Sequence, residues 1–175
     1  NSLIFIISNN KSNVIDTIRS RCRLLKFNNL SEEHTKKIIL NNIKDEIDDE
    51  NLKKLIILSN GAPGKALLLL NNNGLELYDY IIEIFKIYPN LNNDSINKIH
   101  NLINSKTNSF DINLFKELIT IFISRTYRKA LNTLKTSVIK EEENAHINLI
   151  ENFNIADLSS IWEKSYEEIN TTNFL

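Results

Sequence analysis

The sequence predicts a mainly α-helical fold, preceded by one or two strands that are the remnant of an α/β core. Three observations predict it: an unbroken apolar run near the start, apolar residues at three- and four-residue spacing from Leu30 onward, and clusters of Asn, Gly and Pro between the periodic segments. The length of 175 residues suits one large domain or two small ones. The hydrophobic content of 42% is enough for a packed core.

Both strand candidates lie in the first thirty residues: they are Leu3 to Ile7, and Arg23 to Phe27. A run that is apolar on both faces is typical of a strand in a parallel sheet covered by helices, and its backbone groups need neighbouring strands. Because the chain contains no Met, we expect it to be a piece of a longer protein that holds the rest of the sheet. We therefore expect these residues to be poorly supported.

Residues 30–73 are predicted to form a compact module of three helices. Ser31 is the predicted N-cap of the first helix, and acidic residues follow it in the first turn. The second helix runs near Glu50 to Ser59 and ends at Asn60-Gly61, since Gly commonly follows a helix end. The third runs from Pro63 to Leu70, because Pro is tolerated in a first turn.

Residues 75–175 are predicted to form a second, purely helical domain. Its helices are expected near residues 75–88, 95–104, 111–137, 142–153 and 155–170. Asp111 is the predicted cap of the central helix and Asn154, three residues before Asp157, that of the last. The central helix carries a wide apolar face, which suggests a bundle that packs internally and against another subunit: Leu114, Phe115, Leu118, Ile119, Phe122, Ile123, Ala130, Leu131 and Leu134.

Composition argues against several classes of function. With 21 basic and 22 acidic side chains and a net charge of −1, the chain lacks the cationic excess of a generic polyanion binder. The single cysteine excludes an internal disulfide framework and a cysteine-based zinc site, and it fits a reducing compartment. No apolar run approaches the roughly 20 residues of a membrane span. We therefore expect a soluble, cytoplasmic protein without a membrane partner.

The histidines and the charge clusters of the helical part are interpreted as solvated surface. His34, His100 and His146 lie on separate predicted helices without metal-ligand spacing, so we expect them to be exposed and predict no metal site. The acidic stretch Asp45 to Glu50 lacks the Gly and Glu spacing of a calcium loop and reads as a turn. Four basic residues of the central helix are interpreted as a solvated polar face: Arg125, Arg128, Lys129 and Lys135. The alternative that they contact DNA or the acidic face of a partner stays open.

Three arginines crowd into the segment Thr17-Ile18-Arg19-Ser20-Arg21-Cys22-Arg23, although the whole chain has only five. Guanidinium binds phosphate oxygens in a bidentate manner, whereas lysine offers a point charge. From the spacing alone, a solvated turn with one arginine bound to a carboxylate is favoured over a phosphate site. Cys22 is expected to pack rather than to react as a nucleophile, because no His lies near it in sequence.

The order of four short segments resembles clamp-loader subunits of the AAA+ family. Ser8-Asn9 ends an apolar strand, and the Ser-Arg-Cys motif follows in Thr17 to Cys22, as it follows the sensor 1 strand in that family. The stretch Leu24 to Glu33 resembles the exit from the ATPase core into the helical lid. Gly61-Ala62-Pro63-Gly64-Lys65-Ala66-Leu67 resembles the sensor 2 region.

The resemblance implies three parts and a role for the motif residues. Residues 1–29 would be the end of the AAA+ core, 30–73 the lid, and 75–175 the collar that holds a ring of subunits together. Arg21 would act as an arginine finger, reaching across the interface to the γ-phosphate of ATP on a neighbouring subunit. Ser20 and Cys22 would position its turn, and Asn9 aligns with sensor 1.

The sensor 2 region departs from the pattern of ATP-hydrolysing relatives. Those relatives place an arginine about where Gly64 falls, and Lys65 lies one position further on, about 100° around the helix. No phosphate-binding loop of the form Gly-x4-Gly-Lys-Ser/Thr occurs in these residues. The departure favours a subunit without a nucleotide site of its own.

The resemblance thus implies a non-motor subunit of the DNA polymerase III clamp loader, which loads sliding clamps on primed DNA during replication. Its implied partners are gamma/tau-type and delta-type subunits and, through the complex, primer–template DNA and the clamp. No cofactor is expected in this segment, because ATP would be bound by the neighbour, and the segment alone is expected to be inactive. Two alternatives stay open: an ATP-hydrolysing gamma/tau-type subunit, and a helical protein-interaction module unrelated to ATPases.

Overall fold

The described part of the chain is almost entirely helices and their connections. The computed structural model describes residues 3–8, 13–43, 46–91, 93–94, 97, 112–134 and 139–172. Within these residues 70% are helical, in eight helices, and none is in a strand. The prediction of a mainly helical fold is therefore confirmed.

The helices follow one another in two groups, before and after residue 73. In chain order they are α1 (Asp16–Arg19), α2 (Glu32–Asn42), α3 (Asp49–Ser59), α4 (Pro63–Asn71), α5 (Gly74–Ile87), α6 (Ile112–Ala130), α7 (Glu142–Asn152) and α8 (Ile155–Thr172). The helix predicted near 95–104 and the predicted cap Asp111 lie mostly or wholly outside the described residues. Among the helices of the described ranges, none combines the length and apolarity needed to cross a bilayer.

Several helices begin or end where the capping residues in the sequence predict. Ser31 accepts a hydrogen bond from the His34 amide at the start of α2, and Asn154 Oδ1 accepts one from the Asp157 amide at 2.9 Å before α8. Pro63 is the first residue of α4, and α3 is closed by its C-cap Asn60, which has a left-handed conformation.

The central helix α6 is shorter than predicted and ends at Ala130 rather than near residue 137. Asn132 adopts a left-handed conformation with φ 53°. Its amide donates to Lys129 O at 2.9 Å, and the Thr133 amide donates to Arg128 O at 2.8 Å. These two bonds form a Schellman motif, which closes the helix before Leu134 and leaves Leu131 exposed.

The strand predictions are wrong for the described residues. Leu3 to Ser8 and Arg23 to Leu30 are irregular, without strand pairing. Their apolar side chains are exposed, as the 80% exposure of Leu3 and the 91% exposure of Phe27 illustrate. The physical reason is that a strand is stable only when neighbouring strands bind its backbone groups.

One continuous hydrophobic core runs through α2 to α7. Its buried side chains come from the helices on both sides of residue 73, and they include Ile39, Leu55, Leu69, Tyr78, Ile81, Leu118, Phe122, Ala145 and Leu149. The helix α5 packs against α4 on one side and against α6 and α7 on the other, and α8 packs along α6. The segments predicted as lid and collar therefore share buried apolar surface.

Two lysines also connect the two groups of helices. Lys54 on α3 lies 3.1 Å from Asp79 on α5 and 3.9 Å from Glu141, which precedes α7. Burial alone would lower the pKa of Lys54, but the carboxylates of Asp79, Glu141 and Glu50 outweigh it and hold this pKa above its usual value. Lys65 on α4 binds Glu117 on α6.

Gly61 lets the chain segment before α2 lie directly on the turn that follows α3. It has φ 77°, and a Cβ built there would lie 2.8 Å from Asn29 Cβ and 2.9 Å from Leu30 N. The Leu30 amide donates to Gly61 O at 2.9 Å. Any side chain at position 61 would meet both backbone strain and a steric clash.

We predict that Gly61→Ala lowers the free energy of unfolding by about 1–3 kcal/mol, because it adds left-handed strain and displaces the segment at Asn29. Gly64→Ala is the matched control: nothing lies within 4 Å of its Cβ position in α4, so Ala there is neutral or stabilises by roughly 0.5–1 kcal/mol. Urea denaturation of both variants measures the difference, and equal stabilities would contradict this interpretation of the turn.

Candidate functional site

The arginine-rich segment lies on an exposed part of the chain, residues 15–28, which we call the arm. Every residue of the arm is exposed. Its backbone is closed by local hydrogen bonds: the Ser20 amide donates to Asp16 O at 2.9 Å, and the Arg21 amide donates to Ile18 O at 3.0 Å. The Ser20 hydroxyl adds a bond to Thr17 O at 3.2 Å. These bonds form the tight turn that carries Arg21.

The arginines of the arm differ in what binds them. The Arg19 guanidinium pairs with Asp16 at 2.5 Å, one helical turn earlier. Arg21 is exposed and has no hydrogen-bonding or acidic partner for its guanidinium among the residues that the structure describes. The interpretation that a carboxylate binds one arginine is thus confirmed for Arg19. Arg21 carries an unneutralised bidentate donor on a defined turn.

The arm as a whole is basic: it contains the three arginines and Lys26 against a single acid, Asp16. Cys22 also belongs to it, and the expectation that its side chain packs is wrong, because this free cysteine is exposed. The Ser20 hydroxyl bonds to Thr17 O within this turn, and its role in positioning Arg21 stays a prediction.

The two residues of the sensor 2-like region face different surroundings. Gly64 is exposed, with open space where a side chain would begin. Lys65 is half-buried, and its ammonium group binds the Glu117 carboxylate. A lysine held in this way is committed to a contact inside the chain. Asn9, the sensor 1-like residue, lies outside the described residues.

A second polar cluster, which sequence reasoning missed, lies buried between α5, α6 and α7. Arg125 was interpreted as part of a solvated face, but its Nε and Nη2 donate to both oxygens of Glu142 at 2.7–3.1 Å. The Tyr78 hydroxyl donates to the same carboxylate. Glu142 is only 1% exposed and Arg125 only 6%. Each position looked polar and therefore solvated, whereas each partner is supplied by another helix.

His146 completes this cluster, so the expectation that it is exposed is wrong. Its Nε2 lies 3.2 Å from Glu142 Oε2, and its Nδ1 lies 2.8 Å from the Thr126 hydroxyl. Because a carboxylate can only accept, Nε2 carries the hydrogen of that bond. The imidazole also stacks on Phe122 with a centroid distance of 4.8 Å. Three side chains from α5, α6 and α7 thus contact the Glu142 carboxylate, and Thr126 of α6 contacts His146.

The cluster shifts the pKa values of two of its members. Burial raises the pKa of Glu142, but hydrogen bonds from His146, Arg125 and Tyr78 outweigh burial and leave this pKa below its usual value of 4.5. Burial, together with the negative charge of Glu142, raises the pKa of Tyr78 well above 10. At neutral pH the cluster therefore contains an ionised carboxylate opposite an arginine and a neutral phenol.

The remaining residues that the sequence predicts to be on the surface are partly exposed and partly bound to other side chains or to the backbone. His34 is exposed as expected, with Nδ1 2.7 Å from the Ser31 hydroxyl. Lys129 pairs with Glu143 instead of facing solvent alone, and Arg128 is exposed. The acidic stretch supplies Asp48, which caps α3, and hydrogen bonding from the Asn51 amide lowers its pKa. His100, Asp45 and Lys135 lie outside the described residues.

The described residues form a buried polar cluster and an exposed basic arm, which differ in what they can bind. Over the residues that the structure describes, no group of His, Cys, Asp and Glu could hold a metal ion. The buried cluster has its hydrogen-bond donors satisfied, whereas the exposed Arg21 guanidinium can donate hydrogen bonds to an anion. Comparisons with protein-family models, curated proteins and solved structures found no match for this chain.

We predict that Arg125→Met lowers the free energy of unfolding by about 3–5 kcal/mol, because it leaves the Glu142 carboxylate buried without its charged partner. The double variant Arg125→Met with Glu142→Leu is expected to recover most of this loss, since it removes both charges. Arg128→Met, on the exposed side of the same helix, is the control and should change stability by less than about 0.5 kcal/mol. If urea denaturation showed equal losses of unfolding free energy for Arg128→Met and Arg125→Met, the role assigned to the buried ion pair would be contradicted.

The lowered pKa of Glu142 predicts an acid-dependent loss of stability. The unfolded chain binds a proton at Glu142 more readily than the folded chain does, so this contribution is complete above pH 4.5 and is lost as the pH falls below that value. Glu142→Gln should reduce the slope of the unfolding free energy between pH 7 and about pH 3. Chemical denaturation across this range measures the slope, and parallel curves for the two proteins would show that Glu142 is not responsible.

Proposed function

We propose that the chain is a non-motor subunit of a DNA clamp loader, of the type called delta-prime in the bacterial DNA polymerase III complex. In this proposal residues 1–29 are the end of an AAA+ core, residues 30–73 its lid and residues 75–175 its collar. The chain acts in the cytoplasm during DNA replication, beside gamma/tau-type and delta-type subunits. Primer–template DNA and the sliding clamp are reached through the complex.

The observation that carries the proposal is the state of Arg21. Its guanidinium is exposed and unpartnered among the described residues, whereas Asp16 binds Arg19 two positions earlier. A finger that acts on another subunit needs this combination of a defined backbone turn and an available guanidinium. The Ser-Arg-Cys motif at residues 20–22 supplies the family resemblance.

The chemistry asked of Arg21 follows from phosphoryl transfer in general. Negative charge is spread over the γ-phosphate oxygens in the transition state, and a guanidinium can donate two parallel hydrogen bonds to them. The ATP in question is bound by the neighbouring subunit, so this chain contributes a single cation. An arginine supplied in this manner accelerates hydrolysis by roughly 10³–10⁵.

The contact of Lys65 supports a non-motor subunit over an ATP-hydrolysing gamma/tau-type subunit. A nucleotide sensor on α4 must present a free cation to phosphate, but the Lys65 ammonium binds Glu117 on α6. Gly64, at the position where ATP-hydrolysing relatives carry arginine, has no side chain to offer. The same contact joins the proposed lid to the proposed collar.

We predict that Arg21→Ala, tested in a reconstituted loader, lowers ATP turnover at the site facing this chain by roughly 10³-fold or more while the loader still assembles. The loss follows from removing the guanidinium that, in this proposal, donates to that γ-phosphate. Single-turnover hydrolysis measures the rate, and size-exclusion chromatography measures assembly.

Two further variants sharpen this experiment. Arg128→Ala removes an exposed arginine of α6 and should leave turnover unchanged. Arg21→Lys keeps the charge but loses the bidentate donor, so it should recover only part of the rate. An unchanged rate for Arg21→Ala in a complete loader would favour the alternative of a helical interaction module without an ATPase role.

A further inference from the structure

The arm that carries Arg21 joins the helices through a small contact at its end. All of residues 15–28 are exposed, and α1 within them forms no extensive packing with another helix of the described ranges. The chain then reaches Asn29 and Leu30, which lie against the turn between α3 and α4. The direction in which the arm leaves the helices therefore depends on how these two residues are held.

Two consecutive backbone carbonyl groups of this turn accept hydrogen bonds from Asn29 and Leu30. The Asn29 side-chain amide donates to Asn60 O at 2.7 Å, and the Leu30 backbone amide donates to Gly61 O at 2.9 Å. Both carbonyls become available because Asn60 and Gly61 have left-handed conformations, with φ 47° and 77°. The end of α3 thus supplies a paired acceptor for the end of the arm.

Close approach at this point requires both partners. The absence of a Cβ at Gly61 leaves room for Asn29 and Leu30 within 3 Å of its vacant position. Asn29 in turn supplies an N–H₂ donor of the right length, which Asp, of the same shape, cannot supply. The neighbouring Asn28 makes no such contact among the described residues.

We propose that Asn29 is a positioning residue for Arg21. Its hydrogen bond to Asn60 O, together with the Leu30 bond to Gly61 O, fixes the direction of the arm relative to α3. The consequence for ATP turnover rests on the proposed function, since it requires Arg21 to act on a neighbouring site. The fixation itself concerns only this chain.

The fixation is measured on the chain alone with two spin labels. Cys22 is the only cysteine and is exposed, so it takes one label, and Lys53→Cys on the exposed side of α3 takes the other. Asn29→Asp should broaden the distance distribution between the labels, because it removes the donor without changing the shape. Asn28→Asp introduces the same charge one residue earlier and should leave the distribution unchanged. Equal distributions for Asn29→Asp and the parent chain would overturn the proposal.

The consequence is measured as ATP turnover in a reconstituted loader with unlabelled protein. Asn29→Asp should reduce turnover on the order of tenfold, and Asn28→Asp should not. If Arg21→Ala lowers turnover but Asn29→Asp does not, the positioning role is overturned while the arginine finger stands. If Arg21→Ala has no effect while Asn29→Asp still broadens the distances, the proposed function fails and the fixation of the arm stands.

Discussion

The helical part of this protein depends on one buried carboxylate. Glu142 is almost completely buried and must obtain its hydrogen bonds from the protein. The donors come from Tyr78 on α5, Arg125 on α6, and His146 on α7 itself, so the carboxylate is satisfied only when these helices take one relative position. Apolar contacts alone tolerate small shifts between helices, whereas a paired and hydrogen-bonded charge does not. The other contacts between α5, α6 and α7 are compatible with the arrangement that this carboxylate requires.

Arginine side chains have different surroundings in the helices and in the arm. Arg125 meets an acid from a different helix and is buried, while Arg21 lies on the arm, where the nearest acid in sequence, Asp16, binds Arg19 instead. The difference does not lie in the arginines themselves. It lies in whether the fold brings a carboxylate to each of them. For this reason Arg125 is buried in the helix packing, whereas the Arg21 guanidinium stays exposed.

Features set by neighbouring residues could be predicted from the sequence, and features set by distant residues could not. The cap at Ser31 and the stop at Asn60-Gly61 involve contacts within a few positions, so composition and spacing were sufficient. Arg125 and Glu142 are 17 positions apart, and no periodicity reveals that they meet. The strands failed for a related reason, because a strand is defined by the neighbours that pair with it. The role of Arg21 rests on a motif resemblance and stays a prediction.

The average charge of the chain conceals the distribution that matters for binding. A net charge of −1 argues against a general polyanion binder, and the helices agree with this, since Lys54, Lys65 and Lys129 each bind carboxylates within the chain. The arm, by contrast, holds four cations and a single acid, which is already paired. A long nucleic acid needs a continuous basic surface, but one phosphate group needs only one well-directed guanidinium. The charge distribution therefore fits the proposed point contact between the arm and a single phosphoryl group.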